Sequence, residues 1–301
     1  MRTHNGFTLI ELLVVIGIIA LLLAILVPVV TKSREQGKGA ICLSNIRQLT
    51  IGWTAYAQTN DERLVNGAPL APGGQCPECP AGTNCAAVPP TAASIDAAMR
   101  EFHSNELPWV GPGWGTTKGV PAGEACQRCA IRTGALWVYA KQENVYRCPS
   151  GMPRAMICYS IVDSMNGKFL YSGCSTAGFT SLPRKLCLKL LTNVKKPAER
   201  FVFIDEGFLS PDSFAVNYAC ASWFDPPMIR HRNGTNASFA DGHSARLMWR
   251  ADETLKAGRN ITYSYTPTTC AGKNELYNVQ MRTWGQIGYT PDSACSFKIM
   301  E

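Results

Sequence analysis

The segment "NGFTLIELLVVIGIIALLLAILVPVV", residues 5–30, decides how the rest of the chain is read. No charged residue stands between Leu12 and Val30, and the run reaches the ~20 apolar residues that a membrane-crossing helix needs. One carboxylate, Glu11, lies near its start. A charge inside a membrane segment is costly, so Glu11 calls for a partner or a task. A secretory signal is the competing reading. Its apolar core is shorter, roughly 7–15 residues, and ends at a small-residue cleavage site. Here the run continues through Pro28 into "TKSREQGKGAICLSNIRQL" without such a site, which predicts a retained anchor. Arg2 precedes the span and Lys32, Arg34 and Lys38 follow it, so flanking charge does not orient it.

The helical pattern continues beyond the span. Cys42, Ile46, Leu49, Trp53 and Tyr56 recur at spacings of four and three, which puts them on one stripe. The spacing predicts a single helix from about Phe7 to about Thr59, apolar all round at first and amphipathic afterwards. Pro28, Gly37 and Gly39 are its weak points. An amphipathic stem must lay its stripe on a globular body just outside the membrane.

Composition locates that body. The chain has 301 residues, a net charge of +7 and thirteen cysteines. So many cysteines favour disulfides in an oxidising space, a periplasm or a cell surface, and an odd count leaves at least one thiol free or paired between chains. The expected bridge-formers are Cys42, Cys76, Cys79, Cys85, Cys126, Cys129, Cys148, Cys158, Cys174, Cys187 and Cys220. Cys42, on the inward stripe, is placed to staple the helix to the body, with Cys148 in "YRCPS" one candidate partner. The pairs Cys76/Cys79 and Cys126/Cys129 have the spacing of zinc half-sites. The gap between the pairs is wider than in zinc ribbons, and other thiols are at hand, so disulfides are expected and neither a metal nor a cofactor. The basic stretch "PRKLCLKLLTNVKKPAER" (183–200) interleaves with leucines, which predicts a half-buried element with a solvated face rather than a nucleic-acid site.

From 66 to 130 the sequence is rich in Pro, Gly and Cys and reads as a cross-linked loop insert, with a short helix near "SIDAAMREF" (94–102). "ALWVYA", "VYRC", "AMICYSIV", "RFVFIDE" and "ITYSYT" read as strands, and "NASFA" and "HSARLMW" flank Asp241-Gly242, a two-residue hairpin signal. The rest of the last fifty residues is weakly patterned.

These residues carry a resemblance. "G-FTLIELLVVIGIIALLLAILVP" resembles the N-terminal cleavage and methylation segment of type IV pilins and type II secretion pseudopilins. The resemblance implies that a prepilin peptidase cuts after Gly6 and that Phe7 becomes the N-methylated terminus. It also implies that Glu11 is the acidic assembly residue and that Pro28 lets the helix kink. "HRNGTNASFADGH" resembles the H-x9-DG domain found behind such N-termini, through His231, Asp241 and Gly242. "WTAYAQTNDERLV", "LWVYAKQENVYRCPS" and "KKPAERFVFIDEG" support that likeness, while the cysteine-rich insert and the tail beyond Trp249 have no counterpart in it. The implied fold is α+β and pilin-like, a long N-terminal transmembrane-plus-amphipathic helix packed on a small antiparallel sheet with a disulfide-rich insert. The implied organisation is a leader over 1–6, a helix over 7–60 (transmembrane 7–30, stem 31–60) and an extracytoplasmic body over 61–301 that includes a hairpin at 231–249. The implied partners are further copies of the chain or other pilin-like subunits in a helical filament, the prepilin peptidase, the inner membrane and an assembly platform.

Two readings of the H-x9-DG residues stay open. One is a cation site formed by Asp241, His243 and either Asp205 or Asp225. The other, favoured, is a structural turn with His231 bonding loop backbone beside it. Catalysis finds little support, because no G-x-S-x-G occurs and the imidazoles beyond the leader are only His103, His231 and His243. A structural, non-enzymatic role is expected. The competitors are a membrane-anchored binding module that never polymerises and a periplasmic enzyme or metal-binding protein.

Overall fold

The computed structural model describes residues 8–68, 102–104, 106–111, 116–117, 120–121, 123–167, 184–206 and 213–299. One helix dominates: α1, Leu9–Thr59, runs unbroken past Pro28, Gly37 and Gly39. At 1.5 Å per residue its 51 residues extend about 75 Å. Proline at position 28 removes one helical N–H, while the Thr31 hydroxyl donates to the neighbouring Val27 carbonyl at 2.9 Å.

The two halves of α1 meet different surroundings. From Leu9 to Val30 every large apolar side chain is exposed in the single chain. From Gly39 onward one face is buried, through Cys42, Asn45, Ile46, Leu49, Thr50, Gly52, Trp53 and Ala57. That face lies on a four-stranded antiparallel sheet of order β3 (Tyr159–Ile161), β4 (Phe201–Asp205), β5 (Gly234–Phe239) and β6 (Ser244–Met248). A separate ribbon pairs β1 (Thr116–Thr117) with β2 (Val120–Pro121).

Alternation along β5 divides the layers. Asn236 and Ser238 face the stem: Asn236 Nδ2 donates to the Gly39 carbonyl at 3.3 Å, and the Thr50 hydroxyl donates to Ser238 Oγ at 2.6 Å. Phe239 stands on the opposite face with Phe201, ring centroids 5.1 Å apart, beneath the Arg282 guanidinium of α4 (Cys270–Trp284). The α2 helix (Glu124–Thr133) and the α3 helix (Asp252–Arg259) complete the body.

The fold is therefore α+β, with the long apolar helix and small antiparallel sheet expected from sequence. Several local expectations fail. "ALWV" (135–138) and "ENVY" (143–146) form 3₁₀ turns against the stem rather than strands. Short apolar runs fit either state, and periodicity alone does not choose between them. "ITYSYT" is a turn, because Ile261 (φ 50°) and Ser264 (φ 51°) adopt left-handed backbone incompatible with a strand. Cys126 and Cys129 lie on α2, not in loop. The helix expected near 94–102 lies outside the described residues except for Phe102.

Candidate functional site

Thr8 and Glu11 build the start of α1. The Thr8 N–H and hydroxyl each donate to Glu11 Oε2 at 2.8 Å, and the Glu11 N–H donates back to the Thr8 hydroxyl at 3.3 Å. This reciprocal capping box satisfies N–H groups that a helix start otherwise leaves open. In the single chain the Glu11 carboxylate thus has local partners, and it remains exposed beside the bare apolar surface. Gly6 and Phe7 lie outside the described residues.

The H-x9-DG pattern spans one strand and its turn. Residues 234–239 form β5, so His231 and Asp241 stand at opposite ends of a strand about 20 Å long and share no site. At the far end the Gly242 N–H donates to the Phe239 carbonyl, and the Phe239 N–H donates to the His243 carbonyl. Ala240 and Asp241 are therefore the central turn residues, and Gly242 follows at φ +95°. The loop has three residues and a bulge, not the two-residue Asp-Gly turn expected. Asp241 Oδ1 lies 2.6 Å from His243 Nδ1, and the His243 ring stacks on Phe239. Asp225 accepts from the Ala215 N–H at 2.6 Å. The structure does not bring Asp241 or His243 to Asp205 or Asp225.

At the near end His231 enters a different group. Its backbone and those of Arg232 and Asn233 have φ of 45°, 67° and 66°, three consecutive left-handed residues that are not glycine. Such backbone is strained and persists only where surroundings enforce it. The turn drives the imidazole into the body, onto Cys42 of α1, Cys148 of the "RCPS" turn and Asp205 at the end of β4. All four residues are buried, and one ligating atom from each lies within 4.8 Å of the other three. His231 Nε2 is 3.1 Å from Cys148 Sγ and 3.4 Å from Asp205 Oδ2, and the Cys42 thiol donates to Asp205 Oδ2 at 3.5 Å. Arg230 Nη1 donates to Asp205 Oδ1 at 2.6 Å, and the Tyr159 hydroxyl donates to Cys42 Sγ at 3.3 Å.

Electrostatics in this group follow from contact and burial. Burial opposes the Asp205 carboxylate, but Arg230 and His231 outweigh it and hold its pKa below the ordinary range. Burial likewise opposes the imidazolium, yet Asp205 and Cys148 lift His231 to about 9. The Cys42 contact and then burial push the Cys148 thiol up. The sequence reading linked Cys42 with Cys148 as a staple but joined neither to Asp205 or His231, since the four come from separated segments.

The cysteines depart from expectation at four positions. Cys42, Cys148, Cys158 and Cys187 are buried free thiols, so the Cys42–Cys148 staple is not formed. Cys42 and Cys148 turn instead onto Asp205 and His231, while the Cys187 thiol donates to the Asp163 and Gly167 carbonyls at 3.4 and 3.5 Å. Cys126, Cys129 and Cys220 are disulfide-bonded. Cys270 and Cys295, not singled out from sequence, bridge to each other. Cys76, Cys79, Cys85 and Cys174 lie outside the described residues.

Comparison with known proteins places the N-terminus. Residues 1–27 match the family model described as the prokaryotic N-terminal methylation motif. The chain is 45% identical over 69 residues to the "ComG operon protein 3 homolog" of Bacillus licheniformis, a match covering 22% of this chain and 69% of that protein. No solved structure matches the chain. With the capped apolar helix and the sheet it packs on, these matches place the chain in the family of type IV pilin-like proteins that carry the prokaryotic N-terminal methylation motif.

Proposed function

We propose that the chain is a structural subunit of a type IV pilus-like or type II secretion-like filament, cut after Gly6 by a prepilin peptidase and methylated on Phe7. The observation that carries this reading is the division of α1. One half is docked on the body, and the other exposes apolar side chains around its whole circumference. Before assembly the exposed half is a membrane anchor, since α1 is long and apolar enough to cross a bilayer. After assembly the same surface is the filament core. Residues 1–6 act as the leader, 7–30 as the span, 31–60 as the stem, and 61–301 as the body in the periplasm or on the cell surface.

Register comes from Glu11. In a lipid-free helical core its carboxylate meets the methylated amine of a neighbour's Phe7, in place of part of its Thr8 contacts. A buried lone carboxylate is strongly unfavourable and a paired one is tolerated, so the pairing fixes the axial offset. Repetition of one head-to-tail contact that does not close makes an open helix. Glu11→Ala leaves the protein in the membrane fraction and removes it from sheared filaments, read by immunoblot of both fractions. Wild-type incorporation of that variant refutes the pairing. A wild-type chain confined to membranes, with an uncleaved leader by intact mass, returns the reading to a single-pass anchored module.

A further inference from the structure

The buried group of Cys42, Cys148, Asp205 and His231 sits on the docked half of α1, apart from Glu11 and the exposed apolar residues, and has no part in filament register. We propose that it is a closed metal centre for a divalent, thiolate-binding ion, zinc foremost. Two sulfurs, one imidazole nitrogen and one carboxylate oxygen are a tetrahedral zinc donor set. The spacing agrees. An ion about 2.0–2.3 Å from four tetrahedral ligands holds them roughly 3.3–3.8 Å apart. The separations here are 3.5 Å for Cys42 to Asp205, 3.4 Å for Asp205 to His231 and 3.1 Å for His231 to Cys148. A small outward movement of Cys148 or His231 completes the tetrahedron.

The surroundings are built as metal ligands require. His231 presents Nε2 to the centre. Its Nδ1 is buried with no hydrogen bond among the described residues and faces Glu35 Oε1 at 3.6 Å. Glu35 is itself held by the Ser150 hydroxyl at 2.7 Å. Carboxylate behind the histidine is the usual outer partner of a metal-bound imidazole. Arg230 holds the far oxygen of Asp205, leaving Oδ2 for the ion, and the Tyr159 hydroxyl reaches Cys42 Sγ. Charge closes too: a dication, two thiolates, one carboxylate and one guanidinium sum to zero, so burial leaves no net charge. Binding breaks two S–H bonds and the Nε2–H bond of the His231 imidazolium, and the three protons leave to solvent. Four protein ligands and no open position make the centre structural, a clamp between stem helix, "RCPS" turn, β4 and the β5 entrance.

The test is the metal content of the full chain, purified in detergent and dialysed against chelator-treated buffer, with cobalt(II) as a spectroscopic probe. The expected result is about one equivalent of zinc per chain, and cobalt loading that shows thiolate-to-cobalt charge transfer with tetrahedral d–d bands. Cys148→Ser and His231→Ala lose the metal, and Cys187→Ser, a buried free thiol elsewhere, keeps it. Tyr159→Phe weakens zinc on the order of 10- to 100-fold. Three results overturn the proposal: no zinc or cobalt uptake by reduced wild-type protein, a Cys42–Cys148 linkage in peptide mapping of native protein, or undiminished metal in both ligand variants. If the ligand variants fail to fold by far-UV circular dichroism, the wild-type cobalt spectrum decides alone.

Discussion

Leu49 and Ile51 lie two residues apart on one helix and are both aliphatic, yet the structure assigns them opposite fates. Leu49 is 0% exposed, packed on the body, and Ile51 is 56% exposed. Replacing each by alanine therefore isolates stem docking from helix propensity. Leu49→Ala empties part of a close-packed core, and such deletions cost about 3–5 kcal/mol. A chain of this size shifts by about 2–4 °C per kcal/mol, which gives a fall of roughly 6–20 °C. Ile51→Ala removes a side chain with little to lose and places a better helix former, so its change stays within about 0.5 kcal/mol. The assay is thermal unfolding of the full chain in detergent micelles, followed by tryptophan fluorescence, because Trp53 is buried on the same stripe. Micelles cover the apolar half of α1, leaving the transition to report the docked half. Equal melting of the two variants refutes the docking of α1 through this face. Filament incorporation gives the complementary readout, since Ile41 and Ile51 point away from their own body and are available to neighbours.

Three further outcomes follow from separate parts of the body. The Cys270–Cys295 bridge closes a separation of 25 residues, worth at most about 3.5 kcal/mol by loop closure, so Cys295→Ser lowers the melting temperature and speeds proteolysis of the C-terminal tail. Glu253 is pushed up by burial but pulled further down, to about 2, by the Thr269 hydroxyl and the Thr268 and Thr269 N–H groups. Its folded pKa lies below the ordinary 4.5, so its contribution is complete above 4.5 and fades as pH falls toward 2. Melting curves at pH 6 and pH 3 should converge for wild type and Glu253→Gln, and a gap that widens on acidification contradicts the assignment. At Gly242 a Cβ meets nothing within 4 Å, but φ is +95°, so Gly242→Ala costs about 1–2 kcal/mol from backbone alone, and Gly242→Asn costs less.

The sequence carried the stem better than the body. Cys42, Ile46, Leu49 and Trp53 are fully buried, because a helix on a flat partner leaves a regular trace. The α4 helix left no such trace. Its buried face holds Glu275, Asn278, Gln280 and Thr283 beside Leu276 and Val279, so polarity hid it. Three of them bond backbone: Glu275 Oε1 accepts from the Arg250 and Ala251 N–H groups, Asn278 Nδ2 donates to the Asn274 and Lys298 carbonyls, and Gln280 Nε2 donates to the Asn217 and Cys220 carbonyls. The candidate metal centre was illegible for another reason. His231 stood out through its spacing to Asp241-Gly242, yet its neighbours in space are Cys42, Cys148 and Asp205. Only the folded sheet, with α1 laid across it, joins residues that distant in the chain.

Position gives the centre its mechanical meaning. The first buried residue of the stem is Gly39, and Cys42 is the next. Tension on the apolar half of α1, as in a filament under load, would peel the stem from its membrane end and meet this point directly after the Glu35–Ser150 and Gly39–Asn236 contacts. Ordinary packing yields side chain by side chain under such peeling. A four-ligand centre does not, because releasing Cys42 exposes a partly coordinated ion beside a buried Asp205, and partial disruption of a buried charge network costs more than its absence. The body thus holds the helix most firmly where the free half begins. The strain in the 231–233 turn is consistent with that placement, since it aims His231 at the stem instead of letting the chain enter β5 relaxed. Chelation is expected to lower the force or temperature at which the stem detaches while leaving the antiparallel sheet's own unfolding unchanged. Hydrogen exchange resolves the two, with faster exchange confined to the stem around Cys42 and to the 231–233 turn. Uniform acceleration across β3 to β6 would instead make the centre part of the core's general stability.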